Sequence, residues 1–460
     1  MVNRLTYTRT ATAPAAAAPQ RHRPDRATCA AVPDNVCLED PVSHTSLARL
    51  TPATVLSFIG TWVFALVAAS MVPVLITAMI VQLQFSVAAA GGVATAMTLA
   101  SVIAMGATGR VVHRFSRPRI ARTGLGVMAL GFGFAAAFSP TPALVATGII
   151  VGGVGVGLVV GAAIAASAVT ENPDRTTAVV MVVNRAVAAA ILLATPIFQN
   201  DIRVLLAALT CIALLGMFCA RGLPNLPGEA HERGAVLARP RNLAVGLVVA
   251  VLAFAWSATE DMVYAMALLL GESAGIAPDA AGLLLALQVS GGILGGLLAP
   301  ALIRWLGRGW ALVAVVLVST VGKFLLVTTE TPAVYAVSIV AWGITYGAAL
   351  VLILGLAAKL DVTGRIGVFV STGQLLGVAV GPVAGGILFE SVPPLVFGLV
   401  VAIPSLIAGG WLFAISRRSR ELDRYADRSF TTAVATVVEG PELTASATLP
   451  HHTTHTEEPR

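Results

Sequence analysis

From Pro52 onward the chain alternates apolar stretches of about twenty residues with short polar loops. A helix needs about twenty apolar residues to cross about 30 Å of hydrocarbon. With 57% hydrophobic and 11% charged residues, the chain also lies far outside the composition of soluble proteins. The sequence therefore predicts an all-α membrane protein. Its twelve expected transmembrane helices are residues 54–80, 87–109, 121–139, 142–168, 177–198, 203–220, 243–270, 279–302, 310–327, 333–357, 366–389 and 394–415.

The second half of the chain repeats features of the first half about 190 residues later. Pro-Asp-Arg at 173–175 corresponds to Thr-Gly-Arg at 363–365, and the basic turn at 115–117 corresponds to 306–308. Duplicated membrane halves are typical of secondary transporters. We therefore expect two pseudo-symmetric six-helix bundles with a cavity between them. The expected organisation is a disordered cytoplasmic tail at 1–53, bundles at 54–221 and 243–418, a cytoplasmic linker at 222–242 and a second disordered tail at 419–460.

The distribution of arginine predicts the orientation in the membrane. If the N-terminus is cytoplasmic, nearly every Arg outside the helices falls in a cytoplasmic loop, and Arg203 is the main exception. Loops rich in Lys and Arg stay in the cytoplasm. We therefore expect a multi-pass protein of the plasma membrane, embedded in the lipid bilayer, with both termini cytoplasmic. The net charge of +6 lies in these short loops and not on one domain face, which argues against a nucleic-acid partner.

Residues that carry metal or catalytic chemistry are not grouped in this sequence. The four Cys show no metal-ligand spacing with His, and no cluster of His, Cys, Asp or Ser is typical of a catalytic site. A phosphate-binding Gly-Lys-Ser/Thr loop is also absent from the sequence. We therefore expect no cofactor, no metal and no enzymatic activity. The expected protein is a monomer that binds a small molecule.

The loop after the second predicted helix contains a recognisable motif, which runs from Gly109 to Arg117. It resembles the G-x-x-x-D-R-x-G-R loop of the major facilitator superfamily, and Gly109, Arg114 and Arg117 match it. His113 stands where the family has Asp, and Ser116 stands where it has Gly. In the family this Asp faces a helix N-terminus and holds the two halves together. The resemblance therefore implies a cytoplasmic gate that lacks its usual carboxylate.

A weaker copy of this loop lies between the eighth and ninth predicted helices, where only Gly307 and Arg308 match. The resemblance covers about residues 52–418. It implies that the two bundles expose a central site to one face of the membrane at a time. The gating residues that it implies are Gly109, His113, Arg114, Arg117, Gly307 and Arg308.

The eleventh predicted helix contains a second motif, with Gly377, Gly381, Pro382 and Gly385 in one run. It resembles the G-x-x-x-G-P-x-x-G-G run that drug:proton antiporters of the same superfamily carry in helix five. Small residues four apart let two helices approach closely, and a Pro bends the helix. Because the run lies in helix eleven, the repeat-mate of helix five, antiport cannot be carried over from it directly. Tight packing between the two halves of the protein is at least as good an interpretation.

Beyond their first turns, the predicted helices contain four charged side chains: Arg185, Glu260, Asp261 and Lys323. Such groups are unfavourable in a bilayer and normally face a cavity or a partner. Arg185 stays charged, so it can hold a carboxylate or an anionic substrate but cannot carry a proton. Low dielectric favours the protonated form of a carboxylate. We therefore expect Glu260 or Asp261 to carry a coupling proton, and Lys323 to extend to the lipid headgroups.

Polar and aromatic residues of the central helices complete the predicted cavity: Asn184, Trp256, Tyr264, Gln288, Trp342, Tyr346 and Gln374. Apolar and aromatic walls with few polar groups suit an amphipathic organic solute. The sequence thus favours a secondary active transporter that exports amphipathic organic compounds in exchange for protons. Two alternatives stay open: an importer of a small organic anion bound near Arg185, and a transporter-like membrane sensor.

Overall fold

The computed structural model describes residues 48–49, 51–112, 114–171, 173–194, 201–225, 240–360 and 365–438. Within these ranges twelve helices are long and apolar enough to cross a membrane, which confirms the predicted all-α fold. They form two six-helix bundles, α1–α6 and α7–α12. The bounds are α1 Pro52–Ser70, α2 Val87–Val111, α3 Arg117–Ala137, α4 Pro142–Ser167, α5 Pro173–Leu193, α6 Ile202–Cys219, α7 Pro240–Ala265, α8 Pro278–Leu306, α9 Arg308–Thr328, α10 Pro332–Leu360, α11 Arg365–Ser391 and α12 Pro394–Val438.

Two predicted helices are interrupted near the same place in each bundle. α1 is followed, after Met71, by the short helix Val72–Leu83, and α7 is followed, after Met266, by the short helix Ala267–Ser273. The φ and ψ angles are −90° and 3° at Met71 and −94° and 1° at Met266. The sequence predicted one continuous helix in each place, so both predictions are wrong there. In the first bundle, Pro73 has no N–H to continue the helical hydrogen bonds.

Two tyrosine hydroxyls bind backbone carbonyls at these interruptions. The Tyr264 hydroxyl on α7 donates to the carbonyl oxygen of Ser70 at 2.7 Å, and the Tyr335 hydroxyl on α10 donates to that of Ala267 at 2.6 Å. A carbonyl at a helix interruption needs such a partner, because the bilayer offers no water. The first of these bonds also joins the two bundles.

Glycines allow α11 to approach α7 at backbone distance. A Cβ atom added to Gly377 would meet the carbonyl oxygen of Phe254, and one added to Gly385 would lie 2.7 Å from that of Met262. These glycines therefore pack within the second bundle, and the prediction that they pack between the halves is wrong. The Pro382 carbonyl of the same run does lie against the first bundle, at Gly91 on α2. A second close contact between helices, which the sequence did not predict, lies between α8 and α10 at Gly295 and other glycines.

The arginine-rich loops mark one end of the molecule. We call this end the basic end, and it carries Arg110, Arg114, Arg117, Arg119 and Arg308. The sequence predicts that it faces the cytoplasm. The other end, which carries the loop after α3 and the loop after α11, is called the opposite end.

The two bundles touch near the opposite end. There the amide of Val383 on α11 donates to the Thr95 hydroxyl oxygen on α2 at 3.0 Å. The amide of Val87, at the start of α2, donates to the Glu390 carboxylate at the end of α11. The bond from Tyr264 to Ser70 lies in the same half of the molecule. These contacts close the opposite end of the junction between the bundles.

At the basic end, the face of α2 that meets α11 is uncovered. A Cβ atom added to Gly91 would meet the carbonyl oxygen of Pro382 on α11, whereas one added to Gly109, five turns later on the same face, would meet no atom within 4 Å. Within the described part of the chain, the junction between α2 and α11 is therefore closed at the opposite end and open at the basic end. In the predicted orientation this conformation faces the cytoplasm.

The last helix is longer than the sequence predicted. α12 was expected to end near residue 415 and to be followed by a disordered tail at 419–460, but its backbone is helical to Val438. The extension is consistent with the sequence between 411 and 438, which contains no Gly or Pro and several good helix formers. Residues 439–460, nearly all of the tail at 1–53 and most of the linker at 222–242 lie outside the described residues, so those predictions stay predictions.

Candidate transport site

Lys323 on α9 and Glu260 on α7 form an ion pair in the interior of the second bundle. The Lys323 Nζ lies 2.7 Å from the Glu260 Oε1, and the two side chains are 0% and 3% exposed. Nζ also donates to the hydroxyls of Thr259 at 3.1 Å and Ser405 at 3.0 Å, so all three ammonium protons have partners. Lys323 therefore does not extend to the headgroups, and that prediction is wrong. It faces inward because a buried carboxylate compensates its charge.

Two further side chains hold the Glu260 carboxylate. The Ser319 hydroxyl donates to Oε1 at 3.1 Å, and the indole N–H of Trp342 donates to Oε2. With Lys323, three side chains from α9 and α10 bind this one carboxylate. Both charges are thus enclosed in a complete hydrogen-bond network, which is the condition for a stable buried ion pair.

Asp261, the next residue of α7, lies in a different environment. Consecutive helical residues point about 100° apart, and a Cβ atom added to Gly381 on α11 would lie 2.5 Å from the Asp261 Cβ. The Asp261 side chain is half-buried and makes no hydrogen bond or ion pair within the described part of the chain. One turn further along α7, Tyr264 binds Ser70 of the first bundle. Asp261 is therefore an unpaired acid close to the junction of the bundles.

Arg185, near the middle of α5, brings a basic side chain of the first bundle to this junction. Its Cζ lies 5.3 Å from the centre of the Tyr346 ring on α10, a cation–π distance. A Cβ atom added to Gly292 on α8 would lie 3.9 Å from the same Cζ, so the glycine leaves room for the guanidinium. The ion pairs of the described chain do not include Arg185.

Two pairs of aromatic rings in the second bundle lie near Arg185 and Glu260. The Trp256 and Tyr346 rings are stacked, with centroids 5.6 Å apart and an interplanar angle of 17°. The Tyr264 and Trp342 rings are tilted, with centroids 6.5 Å apart. Because Trp342 binds the Glu260 carboxylate, the second ring pair connects the buried ion pair with the contact between the bundles.

Three buried polar atoms near these residues have no hydrogen-bond partner among the residues that the structure describes. They are the Asn184 Oδ1, the Gln288 Oε1 and the Trp256 Nε1, on side chains of residues that are 7%, 3% and 1% exposed. Buried polar groups are nearly always satisfied, by the protein, by water or by a ligand. Gln288 lies one helical turn from Gly292, which faces Arg185. All three residues belong to the cavity that the sequence predicts. Gln374, also predicted to line it, is half-buried on α11 and shares no described contact with them.

The structure places the residues of the first gating motif at the basic end. Arg114 is exposed and belongs to none of the ion pairs of the described chain. The Arg117 amide, at the start of α3, donates to the Asn225 Oδ1 at 3.0 Å. His113 lies outside the described residues, so the effect of its replacing the family's Asp stays a prediction.

The backbone conformation explains the glycine in the second copy of the motif. Gly307, between α8 and α9, has φ 75°, which favours glycine. The Arg308 side chain then lies against α10, since a Cβ atom added to Gly355 would be 2.5 Å from its Nη1. This Gly-Arg pair therefore connects three helices of the second bundle.

We expect Gly109→Leu to reduce transport strongly without preventing membrane insertion. Gly109 lies eighteen residues, or about five turns, after Gly91, so both are on one face of α2. A Cβ atom on Gly91 would meet the carbonyl oxygen of Pro382 on α11. Gly109 is open now, but it lies on the face that closes when the basic end closes.

Gly92→Leu is the matched control for this substitution. A Cβ atom there also meets no atom within 4 Å, but Gly92 points about 100° away from Gly91. Transport rates and amounts of membrane-inserted protein should be measured for both variants. Equal transport by Gly109→Leu and Gly92→Leu would refute this role of Gly109.

Two similar helical bundles around a polar junction define the fold of a secondary transporter. The chain matches the family model of the Major Facilitator Superfamily over residues 57–368, more than half of its length, and it belongs to that family. No curated protein sequence matches the chain.

Several solved structures are similar in fold. The nucleoside transporter NupG is 14% identical with a TM-score of 0.58, covering 82% of this chain and 100% of its own. A D-xylose-proton symporter is 16% identical with a TM-score of 0.60, covering 78% and 95%. The xylose transporter XylE from E. coli, in an inward open conformation, is 13% identical with a TM-score of 0.63, covering 78% and 95%. At these identities the likeness shows the fold alone.

Proposed function

We propose that this chain is a proton-coupled secondary transporter of small amphipathic organic compounds, and that Asp261 binds the coupled proton. This proposal rests on the different environments of two neighbouring carboxylates, those of Glu260 and Asp261. Lys323 neutralises Glu260 inside a complete network, whereas Asp261 has no partner in the described chain. A proton carrier must exchange its proton as the contacts between the bundles change. Asp261 has that freedom and Glu260 does not.

The other groups of the site support the same assignment. The Arg185 guanidinium can attract an anionic group of a solute, whereas a carboxylate is the kind of group that takes up and releases a proton. The stacked Trp256 and Tyr346 rings offer an apolar wall, and the unpartnered atoms of Asn184 and Gln288 offer hydrogen bonds. A site of this composition fits an amphipathic solute. One structure of similar fold is described as a proton symporter.

The direction of transport divides the proposal into two candidates. Export of an amphipathic compound in exchange for protons is the candidate that the sequence favours, since apolar and aromatic walls suit such a solute. Import of a small organic anion follows from an observation in the structure, because no carboxylate in the described chain neutralises Arg185. Both candidates use Asp261 as the proton-binding group.

Reconstitution of the purified protein into liposomes that enclose a pH-sensitive dye tests the proposal. Neutral, cationic and anionic amphiphiles should be offered under a pH gradient of either sign, with protein-free liposomes as the control. We expect at least one class to move with a proton flux. Solute entry accompanied by proton exit would favour antiport, and entry of both together would favour symport. Solute movement that is insensitive to the pH gradient would contradict the proposal.

We also propose a plasma-membrane location, cytoplasmic termini and a monomeric state. The basic end supports the orientation, since it carries the arginine-rich loops. A reporter domain that is active only in the cytoplasm should be active when it is fused to either terminus. Light scattering of the detergent-solubilised protein should give the mass of one chain.

A further inference from the structure

We propose that the solute bound beside Arg185 is a small planar organic acid, in its anionic form, and that it crosses the membrane together with one proton. This inference rests on the proposed function and selects one of its two directions of coupling. It follows from the charges of the site and from the buried polar atoms that lack partners.

Apart from residues near the ends of the helices, the charged side chains inside the described spans sum to zero. Glu260 and Lys323 cancel within their own network, which leaves the positive Arg185 and the negative Asp261. Asp261 lies five residues after Trp256 on α7, a rise of about 7.5 Å, and the Trp256 ring stacks on the Tyr346 ring beside Arg185. The two remaining charges therefore belong to one region of the junction.

Among the described residues, α1 contains no acid or base, and α11 contains none between residues 366 and 389. The charged and titratable groups near Asp261 are Glu260, which Lys323 neutralises, Arg185, and the hydroxyl groups of Tyr264 and Tyr346. The charge balance of the junction thus depends on Arg185, on Asp261 and on whatever binds there.

This balance couples an anion to a proton. The empty site with ionised Asp261 is neutral. An anion on Arg185 alone leaves one negative charge, and a proton on Asp261 alone leaves one positive charge. An anion and a proton together restore neutrality, and the proton enters from water and remains on the Asp261 carboxylate until release. Because unbalanced charge is unfavourable at low dielectric, the empty and the doubly loaded site are the forms that cross.

The shape and hydrogen bonds of the site narrow the class of anion. A carboxylate can bind the Arg185 guanidinium through two parallel hydrogen bonds. The stacked rings of Trp256 and Tyr346 provide a flat apolar wall. The buried atoms of Asn184 and Gln288 lack partners, so a ligand with a hydroxyl or amide substituent would satisfy groups that are otherwise unfavourable to bury. A planar carboxylic acid with one such substituent meets these requirements.

Calorimetric titration of the purified protein with matched compounds tests this inference. The probes are 4-hydroxybenzoate, other aromatic and aliphatic monocarboxylates, the neutral amide of each acid, and 4-hydroxybenzylamine as a cation of similar shape. Titrations in buffers of different ionisation enthalpy count the protons taken up on binding. From mildly acidic to mildly alkaline pH, we expect a carboxylate to bind more tightly than its amide. Over the same pH range, the number of protons taken up per anion bound should rise toward one as the pH increases.

Substitutions at Arg185 and Asp261 test anion binding and proton uptake separately. Arg185→Gln should weaken anion binding about ten- to hundredfold, the loss expected for a charged hydrogen bond, while binding of the amide changes little. Arg185→Lys should recover part of the affinity. Arg304→Gln, which removes an exposed charge at the end of α8, is the control. Asp261→Asn should keep anion binding but take up no proton.

Several outcomes would overturn the inference. They are the failure of every carboxylate to bind, tighter binding of the amides or the amine, and anion binding that takes up no proton or releases one. Proton-driven transport of a neutral or cationic solute would leave the proposed function intact while refuting this inference. If no solute of any charge moves with protons, the proposed function itself fails.

Discussion

Asp261→Asn is expected to reduce solute transport driven by a pH gradient to the level of protein-free liposomes. Asn has nearly the shape of Asp but cannot bind a proton, so the site keeps its geometry and loses its coupling. Exchange of labelled for unlabelled solute across the membrane should continue, because exchange does not need the proton to be released. Both rates should be measured in the same liposomes.

Glu272→Gln is the matched control, because it neutralises an exposed acid at the end of the short helix after α7. We expect this variant to keep both pH-driven transport and exchange. If Asp261→Asn retains full pH-driven transport, the coupled proton binds elsewhere and the assignment is wrong. Loss of exchange as well as pH-driven transport would show that Asp261 holds the solute and not only the proton.

The transmembrane helices were predictable from the sequence because their signal is local. An apolar stretch of sufficient length has few stable alternatives in a bilayer, and its ends coincide with charged or turn residues. Interruptions are less local. Pro300, Pro382 and Pro404 lie inside α8, α11 and α12 without ending them, whereas α7 is interrupted at Met266 without a proline.

The interruptions depend on groups that are distant in sequence. The Ser70 carbonyl receives a hydrogen bond from Tyr264, and the Ala267 carbonyl receives one from Tyr335. These donors are 194 and 68 residues away from the carbonyls that they bind. No window of apolar residues contains that information, so the positions of both interruptions required the tertiary structure.

The candidate site was predictable in part for the same reason. The sequence proposed Arg185, Asp261 and the residues of the predicted cavity because polar groups in a span need a partner or a cavity. The partner of Glu260 was not found, because Lys323 lies near a helix end and was expected to extend to the headgroups. One local signal was available: Ser319 and Lys323 are one turn apart, so α9 has a polar face. Only the fold shows that this face meets α7.

Lys323→Met alone is expected to destabilise the protein by about 3–5 kcal/mol, because it leaves the Glu260 carboxylate buried without its counterion. Glu260→Gln alone should have a loss of similar size, since it leaves the Lys323 ammonium uncompensated. The double variant removes both charges and should recover most of the stability, because neutral side chains of similar volume replace a buried pair at little cost. Denaturant unfolding of the four proteins in one detergent would give the coupling free energy. Nearly additive losses would show that the pair does not act as a unit.

The double variant also decides which carboxylate carries the proton. If Glu260 only neutralises Lys323, the protein without both charges still contains Asp261 and should transport solute in response to a pH gradient. If Glu260 is the carrier, the same protein should fold and bind solute but lose its coupling. The single Glu260→Gln variant cannot make this distinction, because it destabilises the protein in either case. Stability restored together with coupling would therefore assign the ion pair to the fold and the proton to Asp261.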